Sequence, residues 1–154
     1  MRIVFMGTPD FAKNILQGLL ESGECEIVAA YTREDAVRGR GKKLVASPVK
    51  QFAAKNIIPV ETPKNFNDES TVVTLESYKP DFIVVAAYAL MLPKPVLDIP
   101  KYDCLNVHAS LLPRWRGAAP LMRAILNGDD EVGYSIMQIT EGMDEGDYTH
   151  QASF

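Results

Sequence analysis

Apolar positions along this chain change their period repeatedly, from nearly every residue to every third or fourth and back, as alternating strands and helices require. Arg2 to Met6 reads as a first strand, closed by Gly7. Thr8 can cap a helix with Pro9 at its first position, and Phe11, Ala12, Ile15, Leu16, Leu19 and Leu20 recur at helical spacing until Gly23. Glu26 to Tyr31 supplies a second buried strand, Ser47 with Pro48 opens a helix running to about Lys55, and Ile57 to Val60 is a short third strand. Asp68 to Tyr78 carries a weaker helical pattern. After Asp81, Phe82 to Ala87 is continuously apolar, as a central parallel strand covered on both faces should be. The segment from Tyr88 to Pro95 reads as a loop. Pro120 to Asn127 forms a helix closed by Gly128, with Leu121, Ala124 and Ile125 facing inward. Val132 to Ile139 alternates as a strand, with Tyr134, Ile136 and Gln138 on one face, and Tyr148 to Phe154 reads as another. The alternation predicts a doubly wound, mostly parallel α/β sheet with right-handed crossovers.

Two segments carry no regular pattern. Thr32 to Ala46 is long for a connection within a compact domain, and loops of that length are usually functional or mobile. Thr140 to Asp147 is a loop bearing Glu141, Asp144, Glu145 and Asp147.

The stretch from Cys104 to Pro120 carries the densest chemistry. It opens as a strand with Leu105 and Val107 on one face and Asn106 and His108 on the other, about 7 Å apart along the pleat. Beyond His108 the chain turns through Ser110 and Pro113 and passes Arg114, Trp115, Arg116 and Gly117. A polar pair at the carboxyl end of a strand, followed by an irregular loop, stands where open α/β sheets place ligands. By spacing alone the same pair could equally be the wet face of an edge strand or a satisfied core histidine. Trp115 could stack on a base, although pinning the loop to the core is the commoner role for such a residue.

A chain of 154 residues, 47% apolar and 23% charged, has ordinary globular composition for one domain. No start like a signal peptide and no membrane-length apolar run is present, so a soluble, cytoplasmic protein is expected. Cys25 and Cys104 have neither zinc nor redox spacing and read as structural thiols in a reducing compartment. The net charge of -4 argues against wholesale nucleic-acid binding, yet the average hides an asymmetry. Arg33 to Lys50 holds six basic residues against two acidic ones, and Cys104 to Gly128 holds three arginines and no acid. An anionic partner met at defined places is the natural reading. Gly7 does not open a dinucleotide fingerprint, because Pro9 stands where the second glycine should be and Asp10 would face the pyrophosphate. Gly39 to Lys43 lacks the spacing of a nucleotide-binding P-loop. It is either a solvated basic loop or a flexible arm for a phosphate backbone.

The residues Asn106, His108, Ser110 to Pro113, Arg116 and Gly117 together resemble the signature of the 10-formyltetrahydrofolate formyltransferases. The likeness runs from Met1 to Ala12, through the basic loop and Asn106 to Pro120, to Glu141 to Asp147. It implies a Rossmann-like catalytic domain that moves a formyl group from 10-formyltetrahydrofolate to an amine. Asn106, His108 and Asp144 match the family's catalytic positions; without the resemblance, Asp144 could not be chosen over Asp147. Formyl transfer passes through a tetrahedral oxyanion, to which the Asn106 amide and a charged His108 could donate, and a nearby Asp144 carboxylate would favour that charged form. Ser110, Leu111, Leu112 and Pro113 match the tetrahydrofolate-binding stretch, and Tyr88 to Leu92, with Leu90 and Met91 between, resembles the segment that meets the pterin. The loop with Arg38, Arg40, Lys42 and Lys43 is similar to the insertion by which tRNA-directed members meet initiator methionyl-tRNA. No metal is implied, and a monomer is expected. The resemblance further implies an incomplete catalytic domain over 1–154, with the family's C-terminal tRNA-binding β-barrel absent. Two alternatives stay open: a sibling acting on glycinamide ribonucleotide or an amino sugar, and an inactive module that binds folate or RNA.

Overall fold

The computed structural model describes residues 1–154 apart from the side chain of Arg38. In chain order the elements are β1 (Arg2–Gly7), α1 (Asp10–Ser22), β2 (Glu26–Tyr31), β3 (Ala36–Arg38), β4 (Lys43–Val45), α2 (Pro48–Lys55), β5 (Val60–Glu61), α3 (Glu69–Ser77), β6 (Phe82–Ala86), α4 (Lys94–Leu97), β7 (Asp103–His108), α5 (Pro120–Asn127), β8 (Gly133–Gln138) and β9 (Tyr148–Ser153). Seven strands make one sheet in the order β5-β2-β1-β6-β7-β8-β9. The pairs from β5 across to β7 are parallel, and β8 and β9 join antiparallel. The doubly wound, mostly parallel α/β architecture predicted from the alternation is therefore the one observed.

Continuous apolar runs put β1 and β6 in the middle, because both of their faces are buried. On one face Val4, Met6, Ile83, Val85 and Cys104 pack with Tyr31, Leu75 and Val96. On the other, Ile3, Phe5, Val84 and Ala86 pack against Leu16 of α1 and Val49 and Ala53 of α2. Chain order reverses between β1 and β6, so the carboxyl ends of β1, β6 and β7 border one crevice. Gly7 ends β1 there. A side chain at this position would bring its Cβ within 2.6 Å of the Ala86 carbonyl oxygen.

Several local expectations change. α1 starts at Asp10 with Pro9 at the cap and no side-chain cap, so Thr8 does not cap it; the Thr8 hydroxyl instead lies 3.5 Å from the Tyr88 carbonyl oxygen. Ser47 does cap α2, its Oγ accepting the Lys50 N–H at 3.0 Å. The third strand is displaced to Val60–Glu61, because Ile57 adopts φ 58 and is 92% exposed. Within the segment expected to be patternless, β3 and β4 form a short antiparallel hairpin that joins no strand of the main sheet. The loop after Tyr88 ends in the one-turn helix α4. In α5 only Ala124 is buried, whereas Ile125 is 71% exposed, so the expected inward face is largely bare. Among the described residues no helix is long and apolar enough to cross a membrane.

Candidate active site

The strand β7 delivers Asn106 and His108 to the same face of the sheet, as its period requires. In register, Asn106 sits between Val85 of β6 and Met137 of β8, and His108 lies opposite Ser135. Above this face lies a cavity of about 520 Å³. Val85, Met137 and Ile139 supply apolar wall, Ala87 to Leu92 line one side, Gly117 to Pro120 another, and Thr140 to Asp144 a third. Asn106, His108 and Asp144 all border it. The sequence-predicted trio is thus brought together from one strand and one distant loop.

A hydrogen bond fixes the imidazole. His108 is buried, and its Nε2 lies 3.0 Å from the carbonyl oxygen of Trp115. A carbonyl only accepts, so Nε2 carries the hydrogen and donates. The other nitrogen, Nδ1, lies 3.7 Å from Asp144 Oδ2. That carboxylate oxygen accepts the Gly117 N–H at 2.7 Å. Gly117 has φ 83 and Asp144 φ 50, so both take left-handed backbone to make this contact. Asp147 is exposed and instead accepts the Gln138 N–H through its backbone oxygen, at 2.9 Å. The geometry separates the two acids that sequence alone could not.

The wall from Tyr88 to Leu92 combines irregular backbone with apolar side chains. Ala87 and Ala89 have φ 46 and 66, which ends β6 sharply and turns the chain across the cavity. Tyr88 is 2% exposed; its ring meets the Phe66 edge, its hydroxyl has no hydrogen-bond partner among the described residues, and burial pushes the phenol well above its ordinary value. Leu90 and Leu92 are half-buried, and Met91 is 78% exposed at the rim.

Ser110, Leu111, Leu112 and Pro113, which match the family's tetrahydrofolate-binding stretch, are not among the residues that line this cavity. Their polar groups serve the loop itself. Ser110 Oγ donates to the Arg114 carbonyl at 2.7 Å, and Ser135 Oγ donates to the Ser110 carbonyl at 2.7 Å while accepting the Leu112 N–H at 3.0 Å. Gln151 adds a bond to the Leu112 carbonyl at 2.9 Å. The stretch therefore shapes the turn that carries Trp115 to His108.

Arg40, Lys42 and Lys43 are exposed on the β3–β4 hairpin, and the Arg38 side chain lies outside the described part. The hairpin leaves the carboxyl end of β2, and at its root Arg33 Nη1 donates to the Ala89 carbonyl at 3.2 Å. Its base thus touches the cavity wall. Cys25 and Cys104 are free thiols, and burial pushes Cys104 up to about 12. Among the described residues no group of three or more His, Cys, Asp or Glu could hold a metal ion.

Sequence reasoning missed the Trp115 carbonyl and Asp129. A carbonyl leaves no residue-type signature, and in the sequence nothing distinguishes Asp129 from the adjoining Asp130 and Glu131. The carboxylate of Asp129 is in fact held well below the usual range, first by Arg114 and then by Trp115 and Asn127.

The methionyl-tRNA formyltransferase of Hahella chejuensis is 55% identical over 95% of this chain, and that of Marinobacter nauticus 56% over 96%. The chain spans about half their length, 46% and 47% respectively. Among solved structures, the phosphoribosylglycinamide formyltransferase of Bacillus halodurans superposes on all of this chain and 79% of its own, with TM-score 0.79 and 24% identity, which speaks to the fold alone. The family model described as "Formyl transferase" matches residues 1–154, and the chain belongs to that family.

Proposed function

We propose that the chain carries the catalytic centre of an enzyme that transfers a formyl group from 10-formyltetrahydrofolate to the α-amine of methionyl-tRNA. One observation carries this reading: Asn106, His108 and Asp144 converge on a cavity whose remaining walls are mostly apolar. A flat, partly apolar donor with one polar reacting end suits that distribution. Bound there, the donor would supply the formyl group and the N10 leaving nitrogen.

The chain's own residues meet three needs. As the amine's C–N bond forms and the bond to N10 breaks, negative charge builds on the formyl oxygen. The Asn106 amide is placed to donate to it, a contribution typically worth about 3 kcal/mol of barrier. His108 keeps one N–H on Trp115 and, when doubly protonated, presents Nδ1–H at the side shared with Asp144. Asp144, held by the Gly117 N–H, receives the proton the attacking amine must lose and passes it towards N10. The segment Ala87 to Leu92 would hold the pterin, its irregular backbone offering peptide groups where a regular strand offers none. Arg40, Lys42 and Lys43, with Arg38, would meet the acceptor arm of the tRNA, at a hairpin whose root Arg33 ties to Ala89.

Single-turnover formylation of methionyl initiator tRNA by this chain, beside Asn106→Ala, tests the reading. Product from the unchanged chain and a loss of about 100-fold in the variant are expected. Transfer to glycinamide ribonucleotide with none to the tRNA would overturn it.

A further inference from the structure

Asp129 does not line the cavity, yet it is among the most heavily hydrogen-bonded carboxylates in the molecule. It accepts Arg114 Nε at 2.9 Å and Nη2 at 2.7 Å, the Trp115 indole N–H at 2.7 Å and the Asn127 amide at 2.7 Å. Its own position is set by the end of α5, where Gly128 turns with φ 73 and the Asp129 N–H bonds the Ala124 carbonyl at 3.0 Å. Its side chain is only 11% exposed. Four donors on a small, shielded anion make a rigid clamp, since charge-assisted bonds are shorter and stronger than neutral ones.

The clamp grips a strained residue. Trp115 has φ 60, a left-handed conformation that a bulky side chain adopts only when its surroundings over-determine it. Two contacts do so here: its indole N–H is held by Asp129, and the Arg114 guanidinium lies over its ring at 4.6 Å, itself bound to Asp129. This backbone turns the Trp115 carbonyl onto His108 Nε2 at 3.0 Å. The carbonyl in turn decides which ring nitrogen carries the hydrogen of a neutral imidazole, and leaves Nδ1 towards Asp144 and the cavity.

We propose that Asp129 is a positioning residue for the reaction: through Trp115 it holds His108 in the tautomer with hydrogen on Nε2 and Nδ1 turned to Asp144. Its importance for rate rests on the formyl-transfer reading above; its effect on the imidazole does not. Relaxing the clamp lets Trp115 leave the left-handed region and withdraws the acceptor from Nε2. When neutral, His108 then divides between two tautomers; when doubly protonated, it loses the bond that turns its Nδ1–H to Asp144.

The test is long-range proton–nitrogen NMR of the histidine rings in the whole chain at alkaline pH, with His150→Gln assigning the two histidines. The unchanged protein should show His108 hydrogen on Nε2. Asp129→Ala should give mixed tautomers, and Trp115→Phe, which keeps the Arg114 to Asp129 pair but removes the indole donor, should do so in part. Single-turnover transfer should slow about tenfold in Asp129→Ala, less than on loss of Asn106. A His108 ring that stays wholly Nε2-protonated in both folded variants overturns the proposal. Should Asp129→Ala fail to fold, Trp115→Phe decides alone. Mixed tautomers in the variants, with no transfer by the unchanged chain, would sink the formyl-transfer reading and uphold the positioning role.

Discussion

Strands β2, β1 and β6 are packed on both faces by apolar side chains, whereas β7, β8 and the loop between β7 and α5 are pinned by bonds from buried polar groups. Phe5, Met6, Leu16 and Ile83 are fully buried in the first region, with helices α1 and α2 on one face and α3 and α4 on the other. In the second, the fully buried Ser135 hydroxyl bonds Ser110, Leu112 and Gln151, while Leu105, Val107, Tyr134 and Ile136 are only half-buried. The difference is one of directionality. Apolar contact rewards burial in almost any orientation, but a hydrogen bond fixes where an atom points. A site that must aim an imidazole at a carboxylate is built from the second kind of contact, leaning on a scaffold built from the first.

Substitutions in the two regions should therefore fail in different ways. Leu16→Ala should cost about 3 kcal/mol in urea unfolding, yet leave the transfer rate per folded molecule unchanged. A rate loss exceeding the loss of folded protein would collapse the distinction. Ser135→Ala strands the Leu112 N–H and the Ser110 carbonyl, and should cost about 2 kcal/mol while also slowing transfer, because the turn leading to Trp115 loses its anchor. Equal unfolding midpoints for the variant and the parent would show that the loop does not depend on this hydroxyl. At the bottom of the scale, Ile125→Gln on the bare face of α5 should change stability by no more than about 0.5 kcal/mol. A larger destabilisation would mean that the helix face is covered and that the contrast is overdrawn.

The same contrast explains what could be read from residues alone. The Ser47 and Pro48 cap, the apolar run of β6 and the shared face of Asn106 and His108 follow from local rules of capping and periodicity, and each was found where expected. The β3–β4 hairpin was invisible because its residues are mostly charged or glycine and its pairing answers to no buried face. The helix α5 misled for the opposite reason. Its spacing of Leu121, Ala124 and Ile125 is that of a buried stripe, but amphipathic spacing does not say whether a neighbour is present. At the site, residue types announced Asn106 and His108 and family likeness singled out Asp144. The turn from Ser110 to Pro113 was singled out by family likeness, and the backbone carbonyls and N–H groups that bond it to Ser135 and Gln151 have no sequence signature.

The β3–β4 hairpin shares no ladder with the main sheet, and Arg33 at its root meets the cavity wall at Ala89. Lengthening such an appendage disturbs no strand register, and doubling a flexible loop costs only about 0.6 kcal/mol in closure entropy. Residues at its tip can be exchanged, inserted or lost without altering the pairing of the sheet that carries Asn106 and His108. In evolutionary terms, the tRNA reading proposed above would have the chain separate two traits that many enzymes inherit together, the reaction performed and the choice of molecule on which it is performed.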